Sequence, residues 1–139
     1  MSTKAEIVEF MEKEFPKSQL SIVEIGDQGA VVQLKVDESH LRPGGTVSGP
    51  TLMAVADVAL YVAIFGVIGI VPLAVTTNLN INFMRKPAAN TAIRGVCKLL
   101  KVGNALAVGE VSLYSDGVDE PVAHVMGTYS IPPKSTRKP

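Results

Sequence analysis

The chain has no tryptophan, a single cysteine, two histidines and no excess charge of either sign, and each shortage narrows what it can do. Thirteen Lys and Arg balance thirteen Asp and Glu, which leaves no broad positive field to draw a polyanion. With aromatic residues at 5%, a base-stacking platform is missing too, so nucleic acid is not an expected partner. One cysteine, Cys97, cannot form an internal disulfide and fits a reducing compartment. It falls in an alternating strand pattern, where a packed thiol is expected rather than a nucleophile. No His/Cys/carboxylate spacing suggests a metal site, and the sequence holds neither a Gly-x-Ser-x-Gly nucleophile elbow nor a phosphate-cradling Gly loop.

What is present is apolar and compact. At 139 residues, with hydrophobic residues at 47% and charged ones at 19%, the chain suits one folded domain with a real core. The opening MSTKAEIVEFMEKEF scatters acidic residues and holds no long apolar run, unlike a signal or transit peptide, so a cytoplasmic location is expected. Val58 to Val75 is eighteen residues without a charge, the length of a membrane span. Gly66, Gly69 and Pro72 break its end, no basic residue flanks it closely and Asp57 precedes it, so no membrane partner is expected.

Ser2 or Thr3 is placed to cap a first helix over about 3–14, ending before Pro16, with Ile7, Val8, Phe10, Met11 and Phe15 as its apolar stripe. Leu20 to Ile25 and Ala30 to Val36 read as two strands joined at Gly26-Asp27-Gln28-Gly29. The polar, Gly-rich Asp37 to Ser48 leads into a long helix over about 49–69, with Ser48 or Gly49 as cap and Pro50 in the first turn, where its missing N–H is no loss. After Pro72 come strands at Leu73 to Met84, Ala92 to Val102, Ala105 to Tyr114 and Val122 to Ile131, then a tail, 132–139, expected to be disordered. This order predicts an α+β domain over 1–139 with one antiparallel sheet. A sheet of about six strands curled round the long helix covers it well.

The long helix, GPTLMAVADVALYVAIFGVIG, is apolar on every face and carries one charge, Asp57. An unpaired buried charge is costly, so Asp57 needs partners, water or a substrate. Either it accepts hydrogen bonds from nearby hydroxyls or a neighbouring subunit, or it is a general base or nucleophile in a pocket. The strand VTTNLNINF adds a second clue. By strict alternation Thr77, Leu79, Ile81 and Phe83 share one face, and Thr76, Asn78, Asn80 and Asn82 the other. The second face is polar but uncharged, which suits solvent, a subunit seam or a pocket wall.

The run GGTVSGPTLMAVAD, followed after the helix by VTTNLNINFMRKP, resembles the hotdog-fold acyl-CoA thioesterases of the PaaI-like (phenylacetate-pathway) type, and the element order matches over roughly residues 5–131. The resemblance implies Asp57 as the catalytic carboxylate, acting as general base on water or as nucleophile on the thioester carbonyl. It implies Gly49 as the residue whose backbone N–H polarises that carbonyl, and Thr76 as a water-orienting hydroxyl, or Thr77 after a bulge or one-residue slip. A helix N-terminus offers free N–H groups and partial positive charge where an oxyanion develops. Gly49 and Asp57 lie roughly 12 Å apart along a helix axis, too far to hold one carbonyl within one chain. The family meets this with two protomers, so a homo-oligomer is implied, a dimer as the catalytic unit and a tetramer as the assembly.

There are departures from the family pattern. Ser48-Gly49-Pro50 stands where the family has His-Gly-Gly, and Arg42 where it has an Asn, suited to a carboxylate or phosphate. Arg42, Ser48, Thr77, Asn78 and Tyr61 are the expected substrate-binding positions, with Met53, Leu60 and Ile64 as further candidates for the acyl pocket. Arg85 and Lys86, helped by Lys98 and Lys101, are expected at the phosphates of coenzyme A, whereas His40 and His124 are expected to be solvated or structural. Coenzyme A enters as part of the substrate and no separate cofactor is expected. The expected reaction is hydrolysis of an acyl- or aryl-CoA to free acid and coenzyme A. One rival is a hotdog protein that binds acyl-CoA without turnover. A second is an enoyl-CoA hydratase, against which Val62 stands where that chemistry wants a His, and a third is a structural or membrane-associated protein in which the buried Asp57 is merely satisfied.

Overall fold

The computed structural model describes residues 2–88 and 90–134, so that part of the expected disordered tail, 135–139, lies outside the described residues. Thr3 opens α1 (Lys4–Glu14) with a reciprocal cap: its Oγ1 accepts from the Glu6 N–H at 3.2 Å, and Glu6 Oε1 accepts from the Thr3 N–H at 2.9 Å. β1 (Leu20–Gly26) and β2 (Gly29–Leu34) form the expected hairpin. A short 3-10 turn, Glu38–His40, which residue periodicity did not show, precedes α2 (Gly49–Ile68). β3 (Val75–Phe83), β4 (Ile93–Val102), β5 (Leu106–Ser115) and β6 (Ala123–Ser130) complete the chain.

The six strands form one antiparallel sheet in the order β1-β2-β4-β5-β6-β3, and α2 packs against its inner face in the hotdog arrangement. By length and composition α2 alone among the described helices is apolar enough to cross a membrane. Here it is the core helix, with Leu52, Val55, Ala56, Ala59, Leu60, Val62, Ala63, Ile64 and Phe65 all buried.

The sheet makes room for this helix by omitting side chains. A Cβ on Gly109 would come within 2.8 Å of Leu60 Cδ2, and one on Gly127 would collide with Leu60 Cδ1. Leu60 is thus seated in a gap left by two neighbouring strands. Gly127→Ala is expected to destabilise the fold by about 1–3 kcal/mol through overpacking, seen as a lower Tm with unchanged far-ultraviolet dichroism.

β3 breaks the alternation expected of it. Its pairing with β6 runs Thr76↔Tyr129 and then Asn78↔Thr128, leaving Thr77 as a bulge. The extra residue turns Thr76 inward, towards α2 and onto the side of Leu79 and Ile81, whereas Thr77 is exposed. The two expected faces hold only beyond the bulge, where Asn78, Asn80 and Asn82 are exposed. β3 is also a sheet edge. Val75 and Phe83 at its ends, and Leu73 and Met84 just outside it, are about half exposed or more, an open apolar border of the kind that sheets normally cover.

Candidate active site

α2 turns its one charge towards the pair of strands at the bulge. Asp57 is half-buried, and its Oδ1 accepts from Thr76 Oγ1 at 2.6 Å and from the Tyr129 hydroxyl at 2.8 Å. The Asp57 carbonyl O lies 3.1 Å from the same phenol. Thr76 and Tyr129 are direct partners across β3 and β6, so the bulge that turns Thr76 inward sets two hydroxyls side by side under one carboxylate. Burial, with the Asp57 charge adding to it, pushes the Tyr129 phenol well above its ordinary value, so it remains a proton donor across the neutral range. Both donors fall on Oδ1; among the described residues Oδ2 has no hydrogen-bond partner.

Asp57 lines a cleft of about 310 Å³ together with Met11, Phe15, Val58, Tyr61, Thr76 and Tyr129. Tyr61, one helical turn beyond Asp57, presents the same helix face. Its hydroxyl donates to the Pro72 carbonyl at 3.1 Å, and its ring packs on Phe65 and Tyr129 with centroids 4.3 and 6.1 Å away, so it is a fixed wall. Burial, and the nearby Glu14 charge, raise its pKa. The other apolar positions expected in the acyl pocket do not reach this cleft. Leu60 and Ile64 are 1% and 0% exposed because their side of the helix fills the sheet, and Met53, one turn before Asp57, does not line the cleft.

The N-terminal end of α2 holds a second group. Of the first-turn donors, the Thr51 N–H goes to Ser48 Oγ at 3.3 Å, the Leu52 N–H goes to the Ser48 carbonyl at 3.1 Å, and Pro50 has none. Among the described residues the Gly49 N–H alone in this turn is left free. Ser48 is therefore the helix cap rather than a free ligand. Gly49 opens onto a separate groove of about 460 Å³, lined also by Arg42, Phe83, Arg85 and Lys86. Arg42 begins a tight turn closed by the Arg42 N–H to Thr46 O (2.9 Å) and the Gly45 N–H to Arg42 O (3.0 Å), in which Gly44 and Gly45 take φ of 101° and 82° that glycine alone adopts freely. The Arg42 and Lys86 side chains make no polar contact among the described residues. Arg85 is already engaged: Nη1 donates to Pro121 O at 2.8 Å and Nη2 pairs with Glu120 at 3.3 Å.

The structure thus gathers Asp57, Thr76 and Tyr61 in one cleft and Gly49, Arg42, Arg85 and Lys86 in another; neither cleft is lined by both Asp57 and Gly49. Thr77 and Asn78 lie on the exposed side of β3, where Thr77 Oγ1 donates to Thr128 O at 3.3 Å. His40 is structural: its Nδ1 accepts from the Asp37 N–H at 2.9 Å and its carbonyl accepts from the Ser48 N–H at 2.8 Å, which ties the loop to the helix start. Ser39 and Gln19 donate to the Asp37 carboxylate and hold it at about 2, well below the usual range. His124 Nε2 lies 3.1 Å from Glu110 Oε1.

Cys97 is buried, and burial pushes its thiol up to about 12. At pH 8 the folded protein is expected to react with no chromogenic disulfide reagent and to titrate one thiol once unfolded in guanidinium. A thiol-release assay consequently carries no background from the protein.

Tyr129 is the residue that sequence reading missed. Its signal was available: Ala123, Val125, Gly127, Tyr129 and Ile131 alternate onto the buried face of β6, and a phenol on such a face needs an acceptor. Asp57 was the one charge already assigned to the same interior.

Comparison with known proteins agrees with this architecture. Residues 44–122 match the model of the thioesterase superfamily. Among solved structures, a candidate thioesterase of Silicibacter sp. TM1040 is 44% identical, with a TM-score of 0.87 over 94% of this chain and 92% of its own. A point mutant of the phenylacetic acid degradation protein PaaI from Thermus thermophilus is 25% identical, with a TM-score of 0.72 over 89% of this chain and 99% of its own. Zebrafish thioesterase superfamily member 2, at 22% identity, shares the fold with a TM-score of 0.84 over 95% of this chain and 100% of its own. No curated protein matched the chain. The chain belongs to the thioesterase superfamily and is a thioester hydrolase of the hotdog, PaaI-like type.

Proposed function

We propose that the protein hydrolyses the thioester of an acyl- or aryl-CoA to the free acid and coenzyme A, in a site shared between two protomers. The observation that carries this reading is the Asp57 carboxylate, held on Oδ1 by Thr76 and Tyr129 at the edge of an apolar cleft. Oδ2 is then the working oxygen. As a general base it takes a proton from water while the water oxygen attacks the thioester carbonyl carbon. The carbonyl oxygen becomes an oxyanion against the Gly49 N–H of the other protomer, a type of contact that contributes about 3–4 kcal/mol to the transition state. The C–S bond then breaks and the proton returns to the departing thiolate. Direct attack by Oδ2 on the same carbon, with the C–S bond breaking to release the coenzyme A thiolate, gives a mixed anhydride that water opens to the free acid and the Asp57 carboxylate; it uses the same geometry.

The open edge of β3 supplies the join. Antiparallel pairing of two β3 edges about Leu79 sets Thr76 opposite Asn82 of the partner subunit. Thr76 is bonded to Asp57, and Phe83 lies against Gly49, at 3.2 Å from where a Cβ would stand. One two-fold pairing therefore covers the apolar border and carries the Asp57 end of one protomer to the Gly49 end of the other. Two such dimers make the proposed tetramer. Arg42 and Lys86, which make no polar contact among the described residues and stand beside Gly49, take the phosphates of coenzyme A, while Arg85 stays bound to Glu120 and Pro121. The reading places the enzyme in the cytoplasm and assigns it no metal or redox cofactor.

Thiol release from a panel of acyl-CoAs tests the proposal. Saturable release of one thiol per thioester is expected; tight binding with no release above background would replace hydrolysis by simple acyl-CoA binding.

A further inference from the structure

We infer that the Asp57 cleft continues beneath α1 as a second chamber, and that this chamber makes the protein select long acyl chains. The inference rests on the acyl-CoA reading above and narrows it to a substrate class.

The second chamber, of about 410 Å³, is lined by Val8, Leu20, Ile22 and Val32, with the exposed Glu12, Pro16 and Ser21 at its rim. It shares Met11, Phe15, Ser18 and Val58 with the Asp57 cleft, so the two spaces meet along a common wall. The first space, at about 310 Å³, is already ample for a short or aromatic acyl group, given that a cavity of about 150 Å³ accommodates benzene. Only a chain long enough to pass Met11 and Phe15 makes use of the second.

The way α1 is held explains why the space exists. One end of the helix is pinned, with Ile7 fully buried and Phe10 edge-on to Phe65 at 5.5 Å. The other end stands off: Phe15 is 46% exposed and meets Tyr61 only edge-on at 6.5 Å. Met11, unbranched and adaptable, lines both chambers and is able to move aside for an acyl chain that runs from one to the other. The thioester is fixed at Asp57 and the methyl end lies under the helix.

The test compares kcat/KM for butanoyl-, phenylacetyl- and dodecanoyl-CoA in the wild type, Val8→Trp and Ser21→Trp. Val8 and Ser21 line the second chamber and not the first, and Ser21 is exposed on β1, so at least that variant keeps the fold. Each buried methylene contributes about fourfold, so the wild type is expected to favour dodecanoyl- over butanoyl-CoA by at least about a hundredfold. Either tryptophan is expected to cut that ratio by about tenfold or more. A wild-type ratio near one, or a ratio that neither tryptophan moves, overturns the chamber while leaving hydrolysis standing. No thiol release from any substrate overturns the acyl-CoA reading and the chamber with it.

Discussion

Asp57→Asn is expected to lower kcat for thiol release from acyl-CoA by at least about a hundredfold, the scale of a lost general base. The fold is expected to survive, because the amide oxygen of Asn still accepts from Thr76 and Tyr129, whose hydroxyls lie 2.6 and 2.8 Å from Oδ1 in the native site. What is lost is the basic, uncommitted Oδ2. Steady-state thiol release beside a thermal melt and sedimentation of the same preparation checks this. A variant that stays folded and retains more than a tenth of the wild-type kcat would reduce Asp57 to a satisfied core carboxylate.

A second large effect is expected far from any reacting atom. In the two-fold pairing about Leu79, Asn78 of each protomer faces Asn80 of the other, and both side chains are exposed on the single chain. Changing both to Asp sets like charges directly opposite one another, which destabilises strand pairing. The Asn78→Asp/Asn80→Asp protein is expected to sediment as a monomer and to lose at least about tenfold in kcat/KM, with partial recovery in high salt, where the repulsion is screened. Mixing it with Asn78→Lys/Asn80→Lys is expected to restore both dimer and activity, since the charges then complement. Activity that persists in a proven monomer would show that one chain suffices.

Much of this was legible in the residues, for physical reasons that differ from element to element. α2 announces itself because Ser48, Pro50 and Gly69 mark its ends and because twenty residues with a single charge have to be core. The hairpins show through turn residues such as Gly26 and Gly29 and the Gly103-Asn104 pair. Asp57 stands out because a carboxylate in that helix requires an account. The bulge at Thr77 does not show, because alternation counts residues and nothing in Thr76-Thr77-Asn78 marks which one drops out of register. Strict alternation consequently put Thr76 on the wrong face, although the family resemblance had it beside Asp57. Arg85 is expected from the sequence at the phosphates of coenzyme A; its engagement with Glu120 and Pro121 does not show there, because these lie in a loop distant in sequence. The space under α1 is invisible for a similar reason: composition gives the apolar stripe of a helix but not the distance at which it stands from the sheet.

The central claim is that Asp57 of one protomer works with Gly49 of the other, and complementation between two inactive variants tests it most directly. Asp57→Asn removes the carboxylate function. Gly49→Pro removes the N–H donor at the first helical position, where Ser48, at φ −71° and ψ 154°, already has the backbone that precedes proline and where the half-exposed Phe83 ring, 3.2 Å from where a Cβ would stand, has to shift to admit the ring. Each protein alone is expected to be nearly inactive. Unfolded together and refolded in equal amounts, half of the dimers are mixed, and each mixed dimer holds one site with both native groups. The account predicts recovery of about a quarter of wild-type activity for such a two-fold assembly. No recovery from a mixture shown to contain mixed dimers would contradict it and place both groups of each site in a single chain.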